Sequence, residues 1–170
     1  MALLQVAGYD LTIYVDINIL EWMSSAKSVP FETTLRVRDC CLCLHVQRAA
    51  RVLSRRFDEV LRPLGLTNGQ FSLLMSLNRP EPAGMASVAA LLAMDRTTLT
   101  AALKPLERRG LVKVIAGRVD RRSRRLILTS EGEALLASAV PVWETTHREV
   151  EALIKDIDPD GLRNSLRALC

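Results

Sequence analysis

The sequence predicts a mainly α-helical fold with a small β-hairpin, in which a lobe of short helices is joined to a lobe of long amphipathic ones. Three observations carry this. Apolar residues step by three and four over residues 34–64 and again from residue 130 onward, the spacing that lays a stripe along one helix face. Two short helical patterns with cap residues lie between them. Residues 111–115 and 125–129 then alternate apolar and polar around a charged turn, as paired strands do.

The first thirty residues lack a helical period and end in Ser24-Ser25-Ala26-Lys27-Ser28-Val29-Pro30. They read either as a partner-binding arm or as a weakly ordered extension, and Met23 stands as an alternative start. Residues 1–33 are therefore set apart as an extension, with one domain expected over 34–170. From about Thr34 to Leu61 a helix is expected on the stripe Leu42, Val46, Ala49, Leu53, Phe57, Val60 and Leu64. Pro63 and Gly65 end it. Thr67-Asn68-Gly69-Gln70 has the form of a capping box and opens a second helix through Phe71, Leu74 and Leu77, broken by Arg79-Pro80-Glu81-Pro82.

A short helix follows at about Met85 to Ala93. Asp95 is placed to cap another from Arg96 to Arg109, which Gly110 stops. Two short helices joined by a tight turn make a helix-turn-helix, and a hairpin directly after the second helix makes a wing. A long helix is expected from Ser130 through Leu153, with a kink at Pro141, and a last short one after Asp158-Pro159 carrying Leu162, Leu166 and Leu169. The long helices on either side of the winged unit, 34–64 and 130–170, form the expected dimerisation lobe, with the winged unit at 66–128.

Charge is distributed unevenly. Arg96 to Arg125 holds ten Lys and Arg against Glu107 and Asp120, a net +8, whereas Ser130 to Cys170 has eight acids against four bases. A solvated surface mixes signs, so a one-sided block reads as a footprint for a polyanion. Two histidines, no Gly-rich phosphate loop and no nucleophile elbow leave an enzyme little chemistry, and no cofactor or metal is expected. No apolar run is long enough for a membrane span, and Asp10 and Asp16 interrupt the first residues, so the expected location is the cytoplasm. Four cysteines, three of them clustered, do not resemble a disulfide framework.

Leu66-Thr-Asn-Gly-Gln-Phe-Ser-Leu-Leu, Met94-Asp-Arg-Thr-Thr-Leu-Thr, Leu106-Glu-Arg-Arg-Gly-Leu-Val and Asp120-Arg-Arg-Ser-Arg-Arg-Leu-Ile-Leu-Thr-Ser-Glu-Gly together resemble the MarR family of transcriptional regulators. The resemblance covers roughly Asp39 to Cys170. It implies a homodimer whose first and last helices interlock, with two winged helices reading one pseudo-palindromic site on double-stranded DNA, and a repressor released by a small ligand or by cysteine oxidation. Pro105 inside the recognition helix and the first thirty residues depart from the common pattern.

The candidate base-reading residues are Arg96, Thr97, Thr98, Thr100 and Lys104, because a helix N-terminus in the major groove offers short hydroxyls and arginine to base edges. On the wing stand Arg118, Asp120, Arg121, Arg122 and Arg124, with Arg125 beside them; strand alternation forbids all of them from meeting one groove. By resemblance Arg122 enters the minor groove and Asp120 positions it. The competing reading of the basic block is a winged-helix interaction module with an acidic protein partner.

Cys40, Cys41 and Cys43 are candidate sensors. On a continuous helix Cys41 shares a face with His45 and Arg48, and cationic neighbours favour the reactive thiolate form. Simple packing, clearest for Cys43 at the edge of the stripe, and metal binding through Cys41 and His45 are the alternatives. The oxidant-sensing branch of the family places tyrosines nearby, and here Tyr9 and Tyr14 lie only in the extension. Trp143 and His147, one turn apart on the long helix, read either as the lining of an effector pocket or as interface core.

Overall fold

A computed structural model describes residues 29–117 and 123–169. The chain divides into two units, Met1–Gln47 and Arg48–Cys170. Helix α1 spans Phe31–Cys40 and α2 spans Leu42–Leu61. The sequence led to one helix from Thr34; the structure starts it at Phe31 and breaks it at Cys41, whose ψ of 103° leaves the helical range. The ladder nevertheless crosses the break. The Cys41 N–H donates to the Val37 carbonyl at 3.0 Å, and the Cys41 carbonyl accepts from the His45 N–H at 3.1 Å. No side-chain cap precedes Phe31, and no glycine or proline marks the break.

In the second unit each turn is closed by a local device. After α2 comes a 3-10 turn, Arg62–Leu64, ended by Gly65 at φ 65°. Helix α3, Asn68–Leu77, opens on a reciprocal capping box: the Thr67 hydroxyl accepts from the Gln70 N–H at 3.2 Å, and the Gln70 side chain accepts from the Thr67 N–H at 3.1 Å. Strand β1, Ala83–Gly84, leads into α4, Met85–Leu91. Helix α5, Arg96–Arg108, ends on Gly110 at φ 72°. Strands β2, Val112–Ala116, and β3, Arg124–Leu128, form the hairpin, followed by α6, Ser130–Glu151, and α7, Pro159–Arg167.

The sheet has three strands in the order β1-β3-β2, with Ala83 opposite Leu126 and Val114 opposite Leu126 from the other side. The pairing of β1 was not expected, because two residues after Pro82 carry no period. Leu126 is therefore central, and it is fully buried. Leu61, Leu74, Val88, Leu99 and Leu106 join it in the core, so α2 to α6 all close on the sheet's inner face. Each such leucine contributes about 1.5–3 kcal/mol by leaving water, which fixes α5 against the hairpin.

Helix α6 is seated by Thr129. Its hydroxyl donates to the Gly110 carbonyl at 2.6 Å and accepts from the Gly132 N–H at 3.0 Å, while its own N–H donates to the Leu111 carbonyl at 3.1 Å. Pro141 and Pro105 both sit inside helices that continue past them, to Glu151 and Arg108. Helix α7 is capped by Asp158, buries no side chain, and is tied to α6 by Arg163 on Glu151. Among the described residues no helix is long and apolar enough to cross a membrane.

Candidate nucleic-acid interface

Helix α5 is packed through Leu99, Leu103 and Leu106, all buried, at the three- and four-residue spacing that leaves the opposite face free. Thr97 and Lys104 lie on that face, while Arg96 and Thr98 are exposed on the first turn beside it. Arg96, Thr97, Thr98 and Lys104 are exposed and Thr100 is half-buried. The turn before α5 is held tightly: Ala93 adopts φ 50°, its N–H donates to the Ala90 carbonyl at 3.2 Å, and the Met94 N–H donates to the Ala89 carbonyl at 2.9 Å. These two bonds are the Schellman closure of α4, here made with an alanine where glycine is usual. The sequence carries no sign of it.

Asp95 then caps α5. Its carboxylate accepts from the Thr98 N–H at 2.8 Å and from the Thr98 hydroxyl at 2.6 Å. These bonds, the hydroxyl's first, hold the Asp95 carboxyl below the usual carboxylate range. Thr100 donates its hydroxyl to the Arg96 carbonyl at 2.7 Å. Two of the three threonines thus hold their hydroxyl protons inside the helix.

At the other end of α5 the Arg109 guanidinium donates to the Gly65 carbonyl at 2.6 Å. This contact, 44 residues apart in sequence, ties the end of α5 to the turn after α2, and sequence periodicity could not have shown it. On the hairpin, the Gly117 N–H donates to the Ser123 carbonyl at 2.8 Å and closes the base of the wing loop. Arg124 is exposed on the Leu126 side of β3, where a cleft of about 410 Å³ opens between Thr100, Glu107, Val114 and Arg124. Arg125, on the opposite face, runs over Gly84 of β1. Arg118, Asp120, Arg121 and Arg122 lie outside the described residues.

The cysteines fall elsewhere. Cys40 and Cys43 are exposed and Cys41 is half-buried at the α1–α2 junction, all as free thiols. The expected face of Cys41, His45 and Arg48 on a continuous helix is corrected by the break: Cys41 precedes α2, and the His45 ring lies 3.2 Å from the Asp39 carbonyl oxygen instead. Cys43 accepts from the Gln47 side-chain amide at 3.2 Å.

Trp143 is sandwiched. Its ring stacks on Phe71 of α3 at 6.1 Å and on His147 at 4.7 Å, and His147 lies 3.2 Å from Glu151. The pair forms a column joining α3 to the end of α6.

The MarR family model matches residues 66–123, the stretch from just before α3 to the residue that precedes β3. Among solved structures, the M. tuberculosis transcriptional regulator MosR in complex with DNA is 41% identical, covering 76% of this chain and 92% of that one at a TM-score of 0.68. The transcriptional repressor CouR bound to a 23-mer DNA duplex is 30% identical, covering 79% of this chain and 94% of that one at a TM-score of 0.69. An uncharacterised HTH-type transcriptional regulator of Bacillus subtilis, YwoH, is 31% identical over 88 residues, 52% of this chain. That alignment spans 64% of the Bacillus protein's own length, a little under two thirds.

Proposed function

Because this chain belongs to the MarR family, we propose that it acts in the cytoplasm as a homodimeric repressor whose two winged helices occupy the half-sites of one pseudo-palindromic duplex, released by a small ligand or by cysteine oxidation. It is a DNA-binding transcription regulator and not an enzyme. The observation that carries the reading is the presentation of α5. A capped helix N-terminus bearing exposed Arg96, Thr97 and Thr98 stands beside a hairpin bearing exposed Arg124, inside a segment of net +8.

In this reading α5 enters the major groove with its first turn. Arg96 and Lys104 supply charge and donors, Thr97 supplies a short hydroxyl that can reach a base or a phosphate, and Thr98 supplies a hydroxyl oxygen to base edges. The wing meets the flanking backbone and minor groove, where a narrow groove concentrates negative potential around an inserted arginine; the resemblance assigns that part to Arg122, with Asp120 positioning it. Arg124 and Arg125 lie on opposite faces of β3, so Arg124 serves the side shared with α5. Release follows from geometry: two half-sites must be met at once, so a change in the separation of the two recognition helices weakens both contacts together.

A salt series on duplex DNA tests this. Neutralising Z phosphates gives a slope of about −0.9Z in log affinity against log salt. Arg124→Ala and Arg122→Ala should each flatten the slope by about one unit and weaken operator and random duplex alike. Thr97→Ala should weaken the operator by roughly 1–3 kcal/mol and random duplex much less. Unchanged affinity and slope in all three variants would remove the wing and α5 from the interface and favour an acidic protein partner.

A further inference from the structure

We infer that Asp95 locks the Thr98 hydroxyl as a hydrogen-bond acceptor only, so that α5 selects a base-edge donor, adenine N6 or cytosine N4, at the base pair Thr98 meets. The inference rests on the reading of α5 as the DNA-recognition helix. A threonine hydroxyl has one proton and two lone pairs. The Asp95 carboxylate 2.6 Å away has no proton to give, so the hydrogen in that contact is the threonine's. The same carboxylate takes the Thr98 backbone N–H at 2.8 Å, so two bonds from one residue hold it in place. Thr98 is exposed, so its two lone pairs are what it offers outward.

The neighbours sharpen the contrast. Thr100 has donated its proton to the Arg96 carbonyl, and it is half-buried. The Thr97 hydroxyl makes no hydrogen bond to another described residue and keeps both roles, while Arg96 and Lys104 are donors only. Thr98 is therefore the one exposed acceptor-only hydroxyl among the described residues of α5. In the major groove guanine presents two acceptors and thymine O4 a third, whereas adenine N6 and cytosine N4 are donors. An acceptor-only hydroxyl facing guanine or thymine sets lone pair against lone pair with water excluded, and the arrangement is disfavoured.

The test is selection from a randomised duplex pool by the full chain, read by sequencing, for the wild type, Asp95→Asn, Thr98→Val and Thr98→Ser. Asparagine keeps the cap, because its carbonyl oxygen still accepts the Thr98 N–H. Its amide, however, now donates to the Thr98 oxygen and turns the hydroxyl proton outward. The wild type should enrich adenine or cytosine by roughly ten-fold at one symmetric position of each half-site, and Thr98→Ser should retain this. Thr98→Val should lose the preference at that position alone, and Asp95→Asn should shift it towards guanine or thymine. One base profile shared by the wild type, Asp95→Asn and Thr98→Val would overturn the inference while leaving α5 as the recognition helix. A wild type that enriches no sequence would overturn the recognition-helix reading and the inference with it. Thermal melts of the variants accompany the selection, and Thr98→Val decides the matter should Asp95→Asn not fold.

Discussion

Two helical glycines show how much a single Cβ decides here. A Cβ added at Gly132 would lie 2.1 Å from the Leu111 carbonyl oxygen, the atom that already accepts the Thr129 N–H. A Cβ at Gly69 would meet nothing within 4 Å. Glycine in a helix costs about 0.5–1 kcal/mol relative to alanine. Gly69→Ala should therefore stabilise the fold by about that amount, whereas Gly132→Ala should destabilise it by roughly 2 kcal/mol or more, because backbone must move. Urea denaturation midpoints separate the two. Ala93 is the reverse case: an L-residue at φ 50° is strained, and it is exposed, so Ala93→Gly should raise the midpoint, a gain of roughly 0.5–1 kcal/mol. The residues with chemical signatures, Thr67, Asp95, Gly65 and Gly110, could be read directly from the sequence as caps and stops. Ala93 could not, since nothing about alanine announces a left-handed turn.

Among the elements, periodicity located the helices that pack and missed the pieces held by long-range contacts. Helices α3 and α5 begin where the caps Thr67 and Asp95 say, because a cap is a local hydrogen bond, and α6 begins at Ser130 as its period says, on a Thr129 cap that the structure adds. Strand β1 exists because β3 offers an edge, and α1 parts from α2 at Cys41 with no breaker in the sequence. The redox reading proposed above places its sensor at that junction. Cys41 precedes α2 half-buried, between exposed Cys40 and Cys43, at the residue whose backbone leaves the helical range, and in that reading oxidation of the cluster would act on this segment. Peroxide treatment should weaken duplex binding, and Cys41→Ser should remove the response while reduced-state affinity is kept. Equal affinity before and after oxidation, with the thiol shown to be modified by mass spectrometry, returns the cluster to packing.

For the whole molecule, what matters is the apolar surface the single chain leaves uncovered. The α2 stripe is buried only at its end, at Phe57 and Leu61, while Leu42 and Leu53 are exposed; α7 buries nothing, and Leu166 and Leu169 face solvent. Partner chains cover such stripes in homodimers, and the stripe was visible in the sequence although what lies against it was not. Leu53→Glu or Leu166→Glu should accordingly shift sedimentation from dimer towards unfolded monomer at micromolar concentration. The basic block and the acidic C-terminal region were equally legible, whereas the assignment of Arg124 and Arg125 to their faces needed the β3 register. The most direct test of the account is the mass of the complex formed on one selected pseudo-palindromic duplex, by sedimentation at moderate salt. The account predicts two copies per duplex, with half-sites about one helical turn apart and affinity collapsing when one half-site is scrambled. A compact, folded monomer that binds a single half-site as tightly as the full duplex would contradict it.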